Sequence, residues 1–401
     1  MTLSNHIAIG LMLEVKLGKM LQTEKDAQND LLRPYLRAAH IQPGGQLDLN
    51  VDMKEMWFSD REVRELDLRP GDGVVVEGGA GFGRAAYLEN GLDGWGFQNS
   101  IIRLRGLPAN VRYAVYALTA ALEAGEIALA CNAATFAHFT AEKVQRFRIP
   151  FHGAEEHARI VDYLDRETGE IDAMLAMLDE LTEMLRLRQV QAIQSAVRSS
   201  RSIGIGLMLD VRLGKMLQTK QKFPTDHLRP YLRAAHIQPG GRLDLAIDTK
   251  EMYFSEYEAE ALSLRAGDAV IVEGGAGFGR AACLTEDMPG WGFQNSVIRL
   301  RGANSDTRYA VYALQSALEA GEIAIACNAA TFAHFTAEKV EGFRIPYHGT
   351  DKHRRIADHL DEVTGRIDAM LATIDELKIL LVERRTALIT DVVTGRKKVA
   401  S

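Results

Sequence analysis

The sequence predicts an α+β protein made of two similar globular domains, each followed by a long coiled-coil-like helix, with the two helices packed antiparallel. Two observations carry this. Residues 8 to 197 align with residues 204 to 393 at a constant offset of 196 and without a gap, so the chain is a tandem duplication. Within each copy, short β-type segments punctuated by Gly and Pro give way to one uninterrupted stretch of helix formers.

The duplication is close. Leu32 to Gly45 recurs unchanged as Leu228 to Gly241, Val76 to Ala86 as Val272 to Ala282, Gly94 to Ser100 as Gly290 to Ser296, and Cys131 to Val144 as Cys327 to Val340. A period of 196 residues is far longer than a solenoid unit and fits a domain plus a connector.

In the first copy, strands are expected at Tyr35-Leu36-Arg37, at Gly73 to Glu77 after the turn Arg69-Pro70-Gly71-Asp72, and at Ile101 to Arg105, whose alternation suits a half-buried strand. A helix is expected from Tyr113 to Glu123, and Arg148-Ile149-Pro150 closes the globule. From Ala154 to about Val197 there is no Pro and only Gly169, and apolar residues recur at Ile160, Leu164, Ile171, Met174, Leu178, Leu181 and Leu185. The second copy repeats this seam from Ile356 to Leu381, and Gly395 is a stop signal. Each seam is a helix of roughly 40 residues, or roughly 60 Å. The expected boundaries are 1–153 for the first globular domain, 154–200 for its helix, 201–349 for the second domain, and 350–401 for the second helix and tail.

A chain of 401 residues, 47% of them apolar, has material for several cores. Its net charge of -7 argues against coating nucleic acid by charge alone, so any DNA surface has to be local. Cys131, Cys283 and Cys327 form no CxxC pair, which fits a reducing compartment, and the cytoplasm is expected. The apolar string Ile7 to Leu13 has no basic flank or cleavage site, and nearly the same string recurs at Ile203 to Leu209. It is therefore not read as a signal peptide, and no membrane partner is expected.

The run Glu77-Gly78-Gly79-Ala80-Gly81-Phe82-Gly83-Arg84 resembles a phosphate loop but lacks the Gly-Lys-Ser/Thr ending and the GxGxxG spacing. It reads as a turn, or as a loop from which Arg84 and Arg280 project toward a partner. Cys131 and His138 lie seven residues apart with no third orienting group, so a buried Cys is the better reading. His152, His157, His348, His353 and His359 lack carboxylate or Cys partners at ligand spacing and are assigned to helix capping and solvent exposure, not to a metal. No catalytic residue set is visible.

What remains are polar side chains suited to nucleic acid, within or beside the unchanged blocks. They are Arg33, Tyr35, Arg37 and His40; Arg84; Gln98 and Asn99; Arg103, with Arg105 beside it; and Thr135, His138 and Lys143. The second copy supplies Arg229, Tyr231, Arg233, His236, Arg280, Gln294, Asn295, Arg299, Thr331, His334 and Lys339. Arg can read a guanine edge and Asn or Gln an adenine edge, whereas Lys and Thr more often hold phosphate.

The order of these segments resembles the specificity subunit of type I restriction–modification systems. The resemblance covers essentially the whole chain. It rests on Tyr35 to Ile41, Leu68 to Asp72 leading to Gly83-Arg84, Gln98-Asn99, Phe147 to Pro150, Arg159 to Asp165 and the tail Arg384 to Gly395. It implies two target-recognition domains that each read half of a bipartite DNA site, with the antiparallel helices fixing the unread spacer. It implies no catalysis by this chain and no cofactor on it. Two methyltransferase subunits would supply S-adenosylmethionine chemistry, and ATP would belong to translocase–nuclease subunits. The chain departs from the family at Phe151-His152-Gly153-Ala154-Glu155-Glu156-His157 and Tyr347 to His353, where the family shows Pro-Pro or Pro-Leu and then Glu-Gln. Because the candidate reading residues are identical between copies, the site is expected to be near-palindromic. The other readings are a stand-alone DNA-binding or scaffold protein and, least favoured, a small-molecule enzyme using the Gly-rich loop.

Overall fold

The fold was analysed in a computed structural model, which describes residues 6–79, 81–131, 138–275, 277–302, 306–327 and 334–399. The chain divides into two compact units, residues 1–178 with 375–401, and residues 179–374. These units do not follow the boundaries expected from sequence. Each takes one globule together with part of both long helices, because helix segments pack onto the globules and contribute to their cores.

Unit 1 contains β1 (His6–Ala8), β2 (Glu14–Leu17), β3 (Leu31–Leu36), β4 (Glu55–Phe58), α1 (Asp60–Glu65), β5 (Gly73–Val76), β6 (Ala85–Tyr87), β7 (Gly96–Phe97), β8 (Ile101–Arg105), α2 (Pro108–Glu123), α3 (Glu126–Ala130), α4 (Ala141–Arg146) and β9 (Arg148–Pro150). The long helix α5 (Ala154–Val197) begins in this unit. One sheet runs β2-β8-β5-β6, a second β4-β3-β7, and β1 pairs with β9. All pairs are antiparallel except β3 with β7.

The central sheet separates two cores. Val75, Ile102 and Leu104 join one with α2, while Val74, Val76 and Ile101 join the other with Phe58 and Phe97. Sequence alternation had suggested a half-buried β8. Instead Ile101, Ile102, Arg103 and Leu104 are all buried, as expected for a strand covered on both faces, which reads as a continuous apolar run.

Local chemistry sets the elements. Ser59 accepts from the Glu62 N–H while Glu62 reaches back to Ser59, a capping box that starts α1. Pro108 stands in the first turn of α2, where its missing N–H costs nothing. The helix therefore starts earlier than Tyr113.

Ile160, Val161 and Leu164 of α5 complete the first core together with Ile389, Val392 and Val393, which belong to the end of the second long helix, α10 (Thr350–Val393). Asp165 anchors α5 by accepting from Arg112 Nε at 2.5 Å and Tyr116 Oη at 2.6 Å. Asp172 faces Arg385 Nε at 3.2 Å.

Unit 2 repeats the plan with β10 (Ser202–Gly204), β11 (Asp210–Leu213), β12 (His227–Leu232), β13 (Lys250–Phe254), α6 (Glu256–Ala261), β14 (Ala269–Val272), β15 (Ala281–Cys283), β16 (Gly292–Phe293), β17 (Val297–Arg301), α7 (Thr307–Glu319), α8 (Glu322–Ala326), α9 (Ala337–Gly342) and β18 (Arg344–Pro346). Its sheets have the same strand orders. Here Ile193 and Val197 of α5 join the core that includes Ala357 and Leu360 of α10, and Gln189 Nε2 donates to Asp368 at 3.3 Å.

Candidate nucleic-acid interface

Burial sorts the candidate residues. Tyr35 and Tyr231 are core residues of the outer sheets. His40 is fully buried, its Nδ1 accepting from the Arg37 N–H at 3.1 Å, and His236 does the same with Arg233. Burial, then the neighbouring arginine's charge, lowers the pKa of both rings, so they are neutral. Their place is structural.

Arg103 is the clearest correction. Its side chain is only 3% exposed and bridges Glu14 at 3.0 Å and Asp67 at 3.1 Å while donating to the carbonyls of Glu65 and Asp67. Arg299 has one carboxylate, Asp210 at 3.3 Å, and the carbonyls of Ala261 and Ser263. An arginine fixed this way under a sheet cannot reach a base edge. Arg105 likewise holds Asp72 through two bonds of 2.7 and 2.6 Å.

The remaining candidates form two groups in each unit. In the first, β7 lies beside β3, so the Gln98 N–H bonds Leu36 O at 3.0 Å and the Asn99 N–H bonds Lys19 O at 2.7 Å. This brings the half-buried Gln98 and Asn99 to the end of the strand that carries Arg33 and precedes Arg37. Arg37 Nη2 donates to Asp52 O at 2.7 Å, and Arg233 to Asp248 O at 2.8 Å. Gln294, Asn295 and Arg229 occupy the same positions in unit 2, where the Gln294 N–H bonds Leu232 O at 2.9 Å.

The second group surrounds the Gly-rich turn. The turn links β5 to β6: Gly83 N–H bonds Val76 O at 2.8 Å, and Gly79 and Gly83 adopt φ of 83° and 79°. These are left-handed values that favour glycine. Arg84 does not project from it. Its guanidinium lies back over Gly81, with Nη1 3.4 Å from Ile41 O. Arg280 lies back over Gly277 and borders a cavity of about 490 Å³ whose walls include Gln238, Tyr312 and Gln315. The exposed His138 bridges to Gly78 and faces Glu77 at 3.5 Å, while Lys143 Nζ donates to His138 O at 2.8 Å and Cys131 O at 3.4 Å. His334 and Lys339 repeat this arrangement. Each lysine is thus engaged by main-chain carbonyls of its own unit. Thr135 and Thr331 lie outside the described residues.

The histidines at the helix entrance also differ from expectation. His157 is fully buried rather than exposed. It stacks on Tyr113 with ring centroids 3.9 Å apart, its Nδ1 is 3.0 Å from Asn110 Oδ1, and its Nε2 accepts from the His152 N–H at 3.3 Å. His152 Nε2 in turn lies 3.1 Å from Val393 O. His353 stacks on Tyr309 at 3.9 Å, and His348 Nε2 lies 3.1 Å from Val197 O. Burial, then the neighbouring histidine, pushes His157 and His353 down to about 4. The departure from the family pattern is thus a packed joint between the globule and the end of a long helix.

Sequence reasoning also missed one exposed aromatic beside a basic loop, in unit 2; the counterpart loop in unit 1 folds a lysine over a half-buried ring. Lys25 Nζ sits 5.1 Å from the Trp57 ring centroid, and Phe223 is 64% exposed between Lys222 and Pro224. An aromatic residue next to lysines in a Pro-containing loop was the available signal.

No protein-family model and no curated protein matches the sequence. Solved structures do match its fold. A structure described as the basis of complex assembly and conformational transition of the type I restriction–modification system aligns over 96% of this chain and 96% of its own, with a TM-score of 0.70 and 16% identity. The HsdS subunit from Thermoanaerobacter tengcongensis aligns over 98% of this chain and 97% of its own, with a TM-score of 0.53 and 15% identity. The chain therefore has the fold of a type I restriction–modification S subunit.

Proposed function

We propose that this chain is the sequence-specific DNA-recognition subunit of a type I restriction–modification complex. The observation that carries the reading is the end-to-end fold match at a TM-score of 0.70. On this reading the two globules are target-recognition domains for a bipartite site, and the long helices pair antiparallel as the spacer. Arg33, Arg37, Gln98, Asn99 and His138, with Arg229, Arg233, Gln294, Asn295 and His334, are the candidates that burial leaves for DNA contact. Arg84 and Arg280 would have to swing off their turns to take part.

The subunit itself does no chemistry. Methyltransferase subunits bring S-adenosylmethionine, and translocase–nuclease subunits bring ATP. Support for docking comes from apolar residues exposed on the long helices within each unit: Met177, Ile379 and Leu380 in unit 1, and Met184 and Leu187 in unit 2, are 59 to 66% exposed.

Selection of bound duplexes from random DNA tests the reading. A near-palindromic pair of half-sites with a fixed gap is expected, since equivalent domains related by a two-fold axis read inverted repeats. No enriched motif would overturn it, and methyl transfer by the pure chain would refute its non-catalytic role.

A further inference from the structure

The longest cluster of differences between the copies falls on one loop. Residues 24–31 read Glu-Lys-Asp-Ala-Gln-Asn-Asp-Leu where 220–227 read Lys-Gln-Lys-Phe-Pro-Thr-Asp-His, and only the aspartate is shared. That aspartate builds the loop. Asp226 accepts from the backbone N–H groups of Lys222 at 2.9 Å and Phe223 at 3.1 Å and from Gln218 Nε2 at 3.1 Å. Asp30 does the same for Asp26 and Ala27. The loop edge is docked on the outer sheet through Tyr253 N–H to Gln218 O at 3.0 Å in unit 2, and Trp57 N–H to Gln22 O at 3.1 Å in unit 1.

The backbone frame is therefore common and its cargo is opposite. In unit 1, Lys25 folds over Trp57 between Glu24 and Asp26, leaving the tripeptide with one net negative charge. In unit 2, Lys220 and Lys222 are exposed and carry two positive charges. Gln221 turns inward to donate to Pro224 O and Asp226 O, each at 3.3 Å, and Phe223 stands 64% exposed beside the lysines.

We propose that the loop from Gln218 to Asp226 is a DNA-contact element that unit 1 lacks, with Lys220 and Lys222 holding phosphates beside the half-site and Phe223 resting against the groove edge. The loop is held in place by its own aspartate, so little ordering is required on contact. Two lysines together favour a polyanion, and an apolar side chain beside them suits a groove wall. The consequence is an asymmetric grip: two domains that read alike, of which the second holds the backbone more firmly.

The proposal rests on the DNA-recognition reading, and full-length chain titrated with a selected duplex over a range of salt separates the two. Each phosphate neutralised contributes about 0.9 to the slope of log affinity against log salt. K220Q/K222Q should lower that slope by about 1.8, which is about a tenfold smaller loss of affinity between roughly 50 and 200 mM salt. Transplanting the first loop, K220E/Q221K/K222D/F223A, should weaken binding further, and E24K/D26K/A27F should raise the slope. Unchanged slopes in folded variants would overturn the loop's role while leaving DNA recognition standing. Absence of wild-type binding to any duplex would overturn both. Wild-type binding to phosphatidylserine vesicles, with DNA slopes unaffected by the loop changes, would reassign the loop to a lipid surface.

Discussion

The buried arginine networks of the two units occupy the same place and differ by one carboxylate. In unit 1, Asp67 accepts from Arg69, Arg103 and Arg105, and Arg105 is also held by Asp72. Burial alone would raise the Asp67 carboxyl, but the hydrogen bonds and charges of Arg69 and Arg105 outweigh it and hold the pKa below the ordinary value. In unit 2 the position is Ser263, so Arg299 and Arg301 use its backbone carbonyl instead. The sheet is preserved either way. The copies thus show that the carbonyl frame and one carboxylate per arginine suffice for the architecture, and that the extra acid is a local addition.

The largest way to break the comparison is to remove the cation. Arg103→Ala and Arg299→Ala each strand carboxylates or carbonyls under a sheet and should cost about 3–5 kcal/mol, read by chemical unfolding. A loss below ~1 kcal/mol at Arg103 would show that water enters freely.

The histidine joints come next, because both copies share them and should respond together. His157 and His353 lie near 4 in the folded chain against about 6.5 when unfolded. The unfolded state therefore binds more protons between these values. Stability is complete above about pH 6.5 and falls as pH drops toward 4, by roughly 3 kcal/mol per histidine at most. H157Q/H353Q should flatten this window in acid-unfolding curves, and an unchanged pH profile would count against buried neutral rings.

A smaller effect is expected from exchanging the differing acid. Asp67→Ser should cost about 1–2 kcal/mol, since Arg103 keeps Glu14 and two carbonyls, and Ser263→Asp should recover part of that amount in unit 2. Equal destabilisation by both changes would mean each network is tuned to its own surroundings.

Much of this was legible in the sequence. The repeat gave the duplicated plan, helix composition gave Ala154 to Val197 and Thr350 to Val393 with little error, and the apolar run of β5 gave its strand. Arg103 was misjudged because an arginine between apolar residues resembles an exposed position on an alternating strand. The continuous run Ile101-Ile102, then Leu104, was the sign of burial on both faces. His157 was misjudged because stacking on Tyr113, 44 positions earlier in sequence, leaves no local trace. The swing of Arg84 back over its turn has no sequence signature.

The division of the chain into units has a bearing on its synthesis. Unit 2 is contiguous, from 179 to 374, whereas unit 1 needs residues 375–401 as well as 1–178. Ile389, Val392 and Val393 are full members of the first core, and Val393 O receives His152. The globule translated first is thus the one that finishes last, and it waits with an open apolar edge while the ribosome makes the remainder. A released fragment ending at Ile374 should resist protease across its second globule while its first is still cut.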